Sequence, residues 1–351
     1  MKIAAIALTK NGIELAARIG RALEADIYVK NEYMDKVIMN GELVMIHPFS
    51  ADFKGLIKKI FFEYDALIFI MACGIAVRSI APYIKNKKTD PAVVVVDELG
   101  RFSISLLSGH IGGANRLTGR VASILGGIPV ITTATDINGV IAFDELAADN
   151  HCAIENIGNL KYISAELVNG GKVSLFYDSK LNGMLPANIL PYNHESPCKL
   201  VVALSNCARI PVEGDRILYI RPKNLVLGIG CKKGKSKQEI QEAIEEFLDE
   251  NNKSMLSIGC IASIDLKASE KGILDFCSER GIPFKTYSAE EIRRIEHRFQ
   301  QSEFVKKTTG AGSVAEACAV LACTNSTVIC GKTVYDGITL ALAEEEKVFT
   351  L

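Results

Sequence analysis

The chain has 351 residues, 48% of them hydrophobic and 23% charged, with a formal net charge of −1. This composition excludes a disordered polymer, and the near-zero charge excludes bulk attraction to nucleic acid or to an anionic membrane. The length exceeds one ordinary core and predicts two or three domains, and no apolar run approaches the ~20 residues of a membrane-spanning helix.

Residues 2–8 read as a buried strand rather than an export signal, because Lys10-Asn11-Gly12 follow them with no small-residue cleavage site. The ten cysteines are therefore expected unpaired in a reducing cytoplasm, and without a CxxC pair or a zinc-type Cys/His spacing no protein-bound metal is expected. Residues 12–24 and 51–62 read as helices between strands. Ala66–Ile70 and Ala92–Val96 read as buried strands, the second a β-branched run of the kind that parallel sheets cover on both faces. After a glycine-rich loop, Leu117, Val121, Ile124 and Leu125 share one helical face, and 128–131 supplies another strand. Residues 1–136 thus predict an α/β domain with a mainly parallel sheet.

From 137 to 222 the character changes. Five of the ten prolines fall within 186–222, and the strand-like runs Val173–Tyr177, Leu200–Leu204 and 217–220 are short and separated, as in a smaller middle or linking region. Alternation resumes at 223. A strand at 225–227 leads through GIGCKKGKS into a helix with Ile240, Ile244, Phe247 and Leu248 on one face, and strands are expected at 255–261, 283–287 and 327–330. Ser236 with Glu239, Ser288 with Glu291 and Ser313 with Glu316 have capping-box spacing. The predicted architecture is two three-layer α/β domains with mainly parallel sheets, 1–136 and 223–351, joined by the smaller region 137–222.

Several motifs carry chemistry. GIGCKKGKS misses the P-loop spacing: the motif needs four residues between its first glycine and Gly-Lys-Ser, and the position so required is Ile229. What remains is a lysine cluster, including Lys232 and Lys235, near a helix start. It reads equally as a grip for carboxylate or phosphate and as a solvated basic turn. Gly310-Ala311-Gly312-Ser313-Val314-Ala315 fits a loose dinucleotide fingerprint, but VKKTT before it is a poor strand and no acid follows ~20 residues on. A tight turn into a helix accounts for the glycines, and carboxylate binding by Thr309 and the loop amides is an intermediate reading. The segment MACGIAVR puts a glycine turn after a strand, where open α/β sheets bind ligands. There Arg78 could hold a carboxylate, while Cys73 reads better as a packed thiol than as a nucleophile.

The strongest candidate is His110, in the loop formed by Ser108, Gly109, Gly112 and Gly113. Glycines let backbone N–H groups approach a ligand, the following helix start favours negative charge, and an imidazole titrates near neutral pH. A structural histidine bonded to backbone explains the residue equally well. Asp97 and Glu98 could orient His110, or could be turn residues before Gly100. Asp136 carries the same ambiguity.

Residues 71–136, from MACGIAVRSI to PVITTATD, resemble the N-terminal signature of the CbiG family of cobalamin-biosynthesis proteins, the cobalt-precorrin-5A hydrolases. GIGCKKGKS, ASIDLKASEKG and SEFVKKTTGAGSVAEACAVLA resemble the C-terminal domain that this family shares with CobE. The blocks come in the family's order, with a more variable middle. The sequence departs from the pattern at VYDGITLALAEEEK, where charges crowd the last expected strand. The resemblance implies a cobalt-bearing tetrapyrrole substrate with acetate and propionate arms and a δ-lactone. Water opens the lactone, and a two-carbon unit leaves as acetaldehyde to give cobalt-precorrin-5B. The chemistry so implied assigns His110 as general base, oriented by Asp97 or Glu98. Substrate contacts then fall to Cys73, Gly74, Arg78, Ser108, Gly109, Gly112, Gly113, Asn115, Lys232, Lys235, Thr309, Gly310 and Gly312. The cobalt travels with the substrate, so no cofactor is expected. Expected partners are cobalt-precorrin-5A and neighbouring corrin-pathway enzymes that pass on intermediates, with no nucleic acid and no membrane. The rival reading is a non-catalytic carrier of a tetrapyrrole intermediate; a nucleotide-dependent enzyme is disfavoured by the failed P-loop spacing.

Overall fold

The computed structural model describes residues 1–33, 45–50, 52–86, 89–195, 198–323 and 325–351. It divides into two compact units, Met1–Glu145 and Leu146–Leu351.

The first unit runs β1 (Ile3–Ala7), α1 (Lys10–Leu23), β2 (Asp26–Lys30), β3 (Ile46–Phe49), α2 (Phe53–Glu63), β4 (Ala66–Ile70), α3 (Cys73–Ile80) and β5 (Ala92–Val96). It continues with β6 (Phe102–Leu107), α4 (Ala114–Leu125), β7 (Ile128–Val130), α5 (Ala134–Ile137) and the first turn of α6 (Phe143–Asp149). The sheet order is β3-β2-β1-β4-β5-β6-β7, and its first five strands are mutually parallel. Every residue of β1, β4 and β5 is buried, which explains their unbroken apolar runs: helices cover both faces. Ile13, Ile19, Leu117 and Val121 from α1 and α4 pack on one face. Ile57, Ile60, Phe61 and Ile80 from α2 and α3 pack on the other. Each such side chain stabilises the fold by about 1.5–3 kcal/mol on burial. Thr9 and Asp52 cap the starts of α1 and α2 by accepting the Gly12 and Gly55 amides at 3.2 and 2.8 Å. The helix expected at 51–62 begins at Phe53; Ala51 lies outside the described residues.

Strand β6 was not legible as a separate strand, and it decides the geometry of the site. Asp97 accepts the amides of Phe102 at 2.6 Å and Leu99 at 3.3 Å, and Gly100 takes φ +69°, so the chain reverses into a hairpin. β6 therefore runs antiparallel to β5, with Val93 opposite Leu107 and Val96 opposite Ser103. Its carboxyl end lies at the amino end of β4 and β5.

The second unit holds two larger sheets. The region that sequence marked as a small linking piece contains β8 (Cys152–Glu155), α7 (Leu160–Val168), β9 (Val173–Tyr177), β10 (Lys180–Asn182), β11 (Ile189–Pro191), β12 (Leu200–Leu204) and β13 (Arg216–Pro222). Five of these strands form a sheet in the order β11-β9-β12-β13-β8, parallel except at β8. Arg221 is buried beneath it, bonding Glu155 at 2.8 Å and the Ser205 carbonyl at 3.1 Å. A buried guanidinium is tolerable only when paired and bonded in this way.

Then follow β14 (Leu225–Cys231), α8 (Lys237–Glu250), β15 (Ile258–Ile264), α9 (Lys271–Arg280), β16 (Phe284–Tyr287), α10 (Ala289–Arg293) and α11 (Glu303–Thr309). The chain ends with α12 (Ala315–Leu321), β17 (Ser326–Tyr335), β18 (Ile338–Glu345) and β19 (Val348–Thr350). This sheet has the order β16-β15-β14-β18-β17, with α8 and α9 on one face and α10 and α12 on the other. The segment whose charges left it open as a strand is β18, paired on both sides: Asp336 (φ +37°) and Gly337 (φ +77°) make the tight hairpin that feeds it. The molecule is thus a mixed α/β protein with mainly parallel sheets. Two of the three capping boxes form, at Ser236 and Ser288. The third does not: Ser313 Oγ donates to the buried Glu316 carboxylate, and α12 starts one residue later without a side-chain cap.

Candidate active site

The loop between β6 and α4 has a fixed conformation. Ser108 sits at φ +57°, a costly position for a non-glycine residue, held because its Oγ donates to the Asp90 carbonyl at 3.0 Å and its own carbonyl accepts the Ala114 amide at 3.1 Å. Gly113 takes φ +82° and returns its amide to the His110 carbonyl at 2.8 Å. Gly112 must lack a side chain, because a Cβ there would lie 2.4 Å from Ser108 Cβ. The loop therefore presents the His110 ring in one place.

Three elements converge on that ring. His110 Nε2 lies 3.0 Å from Asp136 Oδ2 and 3.0 Å from Thr135 Oγ1, both on α5. On the other side, Nδ1 lies 3.4 Å from Asp144 Oδ2, in the first turn of α6. Asn115, in the first turn of α4, donates to Asp136 Oδ2 at 3.1 Å and accepts from Ser105 Oγ at 2.7 Å, which fixes the Asp136 carboxylate. With a carboxylate at each nitrogen the imidazole is held as a cation. The Asp144 contact, working against the cost of burial and helped by Asp136, raises its pKa to about 9. Asp144 counts for more than the nearer Asp136 because its side chain is 8% exposed against 28%, and charges interact more strongly away from water. Burial opposes ionisation of Asp144, but the bond to His110 wins and leaves its carboxyl below the ordinary range. Glu145 moves the other way: burial, reinforced by Asp136 and Asp144, raises it.

His110, Asp136 and Glu145 each bring a ligand-type atom within 4.8 Å of the others, a spacing that could take a divalent cation. Beside the loop opens a cleft of about 540 Å³ lined by Tyr64, Asp65, Asp90, Pro91, Ile111 and Gly112.

The structure places Ser108, Gly109, His110, Gly112, Gly113 and Asn115 together, brings in Asp136, which the sequence left open, and adds Thr135, Asp144 and Glu145. It does not bring Asp97 or Glu98 to His110. Both sit in the β5–β6 hairpin, separated from the ring by the length of β6, about 20 Å at strand rise. Asp97 is spent on backbone amides and Glu98 is exposed. Cys73, Gly74 and Arg78 form the start and outer face of α3, at the carboxyl end of β4 and so at the opposite end of the sheet from His110. Cys73 packs at the edge of the core.

In the second unit, the Lys235 ammonium is bound to Glu239 at 2.7 Å and Asp336 at 3.0 Å, and Lys232 lies across Gly337 of the hairpin. Thr309 Oγ1 donates to the Val305 carbonyl at 2.8 Å, and Gly310 ends α11 at φ +79°. The Gly312 amide is given to the buried Glu296 at 2.5 Å. A helix, not a strand, precedes this glycine turn, so a dinucleotide fingerprint is excluded there. All ten cysteines are free, and burial pushes the Cys277 and Cys318 thiols up to about 12, far from a reactive thiolate. Among the described residues no helix is long and apolar enough to cross a membrane.

Three consecutive segments match known families: residues 55–136 the cobalamin synthesis G N-terminal region, 141–222 the cobalamin biosynthesis central region, and 225–343 the cobalamin synthesis G C-terminus. The chain is 38% identical over 335 residues to a cobalt-precorrin-5A hydrolase of Priestia megaterium, covering 91% of this chain and 88% of that one. It is 36% identical over 330 residues to a cobalt-precorrin-5A hydrolase of Salmonella typhimurium, covering 91% of each. Among solved structures, a cobalamin biosynthesis protein G homolog from Sulfolobus solfataricus aligns over 98% of this chain and 97% of its own, at 24% identity and a TM-score of 0.41.

Proposed function

The chain belongs to the CbiG family of cobalamin-synthesis proteins, and on that premise we propose that it is a cobalt-precorrin-5A hydrolase with its reaction centre at His110. The observation that carries the placement is the imidazole clamped between Asp136 and the buried Asp144 at the tip of a rigid glycine loop.

The reaction adds water to the δ-lactone carbonyl, breaks the acyl–oxygen bond and frees a carboxylate and a hydroxyl. The hydroxyl then loses its proton while the carbon–carbon bond to ring A breaks; that electron pair passes into the conjugated ring and acetaldehyde leaves. The first step needs an acid for the departing oxygen and the second needs a base for the same oxygen. His110 suits both in that order. It begins as an imidazolium, gives its proton to the leaving alkoxide, and as a neutral imidazole takes that proton back during fragmentation. This revises the role expected from sequence, that of a base from the outset. Asp136 and Asp144 hold the ring in position and stabilise its charge. The Gly113 amide is already committed to the loop, so oxyanion contacts fall to Gly109 and Gly112. The cleft beside the loop offers a seat for the edge of the macrocycle, and the product would pass to a later corrin-pathway enzyme.

Replacing His110 by Gln should lower acetaldehyde release from cobalt-precorrin-5A by at least about 100-fold, the low end of proton-transfer catalysis, with an unchanged circular dichroism spectrum. Near-native turnover by a folded variant would remove His110 from the mechanism.

A further inference from the structure

Four titratable groups meet at this site, and the histidine uses only two of its three acidic neighbours. Asp144 takes Nδ1; Asp136 takes Nε2 and the Asn115 amide. The third, Glu145, is half-buried and has no hydrogen-bond partner among the described residues. Asp144 and Glu145 are consecutive in the first turn of α6, so their side chains leave the helix about 100° apart. Asp144 is turned inward against Nδ1, while Glu145 has a ligand-type atom within 4.8 Å of both His110 and Asp136. That spacing leaves room for a water between the Glu145 carboxylate and the imidazolium.

From this arrangement we propose that Glu145 is the base that activates the attacking water, acting opposite an acidic His110. The inference rests on the hydrolase reading and deepens it. The step balances. Glu145 accepts one proton from water as the hydroxide oxygen bonds to the acyl carbon. The tetrahedral intermediate then collapses, and the leaving oxygen takes the His110 proton. Glu145 and the new carboxylic acid each release a proton to solvent, and His110 recovers its own when acetaldehyde leaves. Two protons are released in all and no oxidant or reductant is needed. The charged groups facing Glu145 are His110 from the loop, Asp136 from α5, Asp144 from its own turn and Arg116 from α4. Burial and the two aspartates push its carboxyl up while His110 and Arg116 pull it down, and the net shift is upward, towards a stronger base. The acid and the base are told apart by geometry: His110 is held between two carboxylates, whereas Glu145 keeps its carboxylate unbonded beside it.

The test is Glu145→Gln, assayed for acetaldehyde on two substrates: cobalt-precorrin-5A, and the same compound with its lactone opened beforehand by alkali. On the lactone the variant should be slower by about 10²–10⁴-fold and should lose the acidic limb of its kcat/KM profile. On the opened compound it should fragment within about threefold of the wild type, whereas His110→Gln fails on both. Wild-type rates on the lactone would overturn the role of Glu145 and leave the hydrolase reading intact. So would loss of both activities in a variant whose His110 ring resonance is unchanged, or lactone hydrolysis abolished by a chelator and restored by manganese, which would make Glu145 a ligand. No acetaldehyde from the wild type on either substrate would instead defeat the reading on which the inference rests.

Discussion

At the scale of single residues the site depends on one imidazole whose charge is set by its two acidic contacts. Asp144→Asn should bring the His110 pKa down from about 9 towards its ordinary 6.5, followed by the ring proton shifts in an NMR titration. Asp136→Asn should lower it less, because that carboxylate is more exposed and the larger cause is Asp144. The same shift bears on stability. The folded pKa lies above the unfolded one, so His110 stabilises the fold in full below about pH 6.5, and that contribution is lost as pH rises through about 9. The denaturant midpoint should therefore fall between pH 6 and pH 9.5 in the wild type by more than in His110→Gln; equal falls would contradict the charge assignment. His110 itself was legible, because a titratable ring on a glycine loop is a local pattern. Its partners were legible only in part: Asp136 was one open candidate among several, and nothing in the sequence pointed to Asp144. Asp97 and Glu98 are nearer in sequence than Asp136 and Asp144, and only the hairpin at Gly100 shows that nearness along the chain becomes distance in space.

At the scale of elements, the buried strands β1, β4 and β5 were readable because helices on both faces demand unbroken apolar runs. β6 alternates serine with apolar residues and is only partly buried, so periodicity marked it weakly. The Asp336-Gly337 turn was a hairpin signal in plain view, but the charged residues at the end of β18 obscured the strand behind it. Close approaches of backbone to backbone could not be read at all. A Cβ on Gly228 would lie 1.8 Å from the Ala315 carbonyl oxygen, so α12 rests on β14 only because that residue is glycine. Gly228→Ala should destabilise the protein by about 3 kcal/mol, the upper range for overpacking, as measured by denaturant unfolding. In the loop, Gly112→Ala forces Ser108 out of its φ +57° conformation and should cost at least about tenfold in acetaldehyde release with a smaller loss of stability.

For the whole molecule, the near-neutral charge leaves recognition of any anionic ligand to local groups, and some of the expected ones are already engaged within the fold. Lys235 and the Gly312 amide are committed within the second unit, to Glu239 and Asp336 and to Glu296, so the lysine and glycine loops singled out in the sequence serve the fold first. The middle segment lacks long periodic runs, and its five-stranded sheet is assembled from short strands whose order no local pattern encodes. Partly buried polar contacts tie it into the second unit, including Asn206 to Glu344 at 2.9 Å and Asn150 to the Thr350 carbonyl at 2.9 Å. Catalysis and mere carriage of a tetrapyrrole separate in one measurement: anaerobic incubation of the wild type and His110→Gln with cobalt-precorrin-5A, following acetaldehyde and binding together. Acetaldehyde is expected from the wild type alone, with both proteins binding the substrate; tight binding by the wild type without acetaldehyde would make the protein a carrier and not a hydrolase.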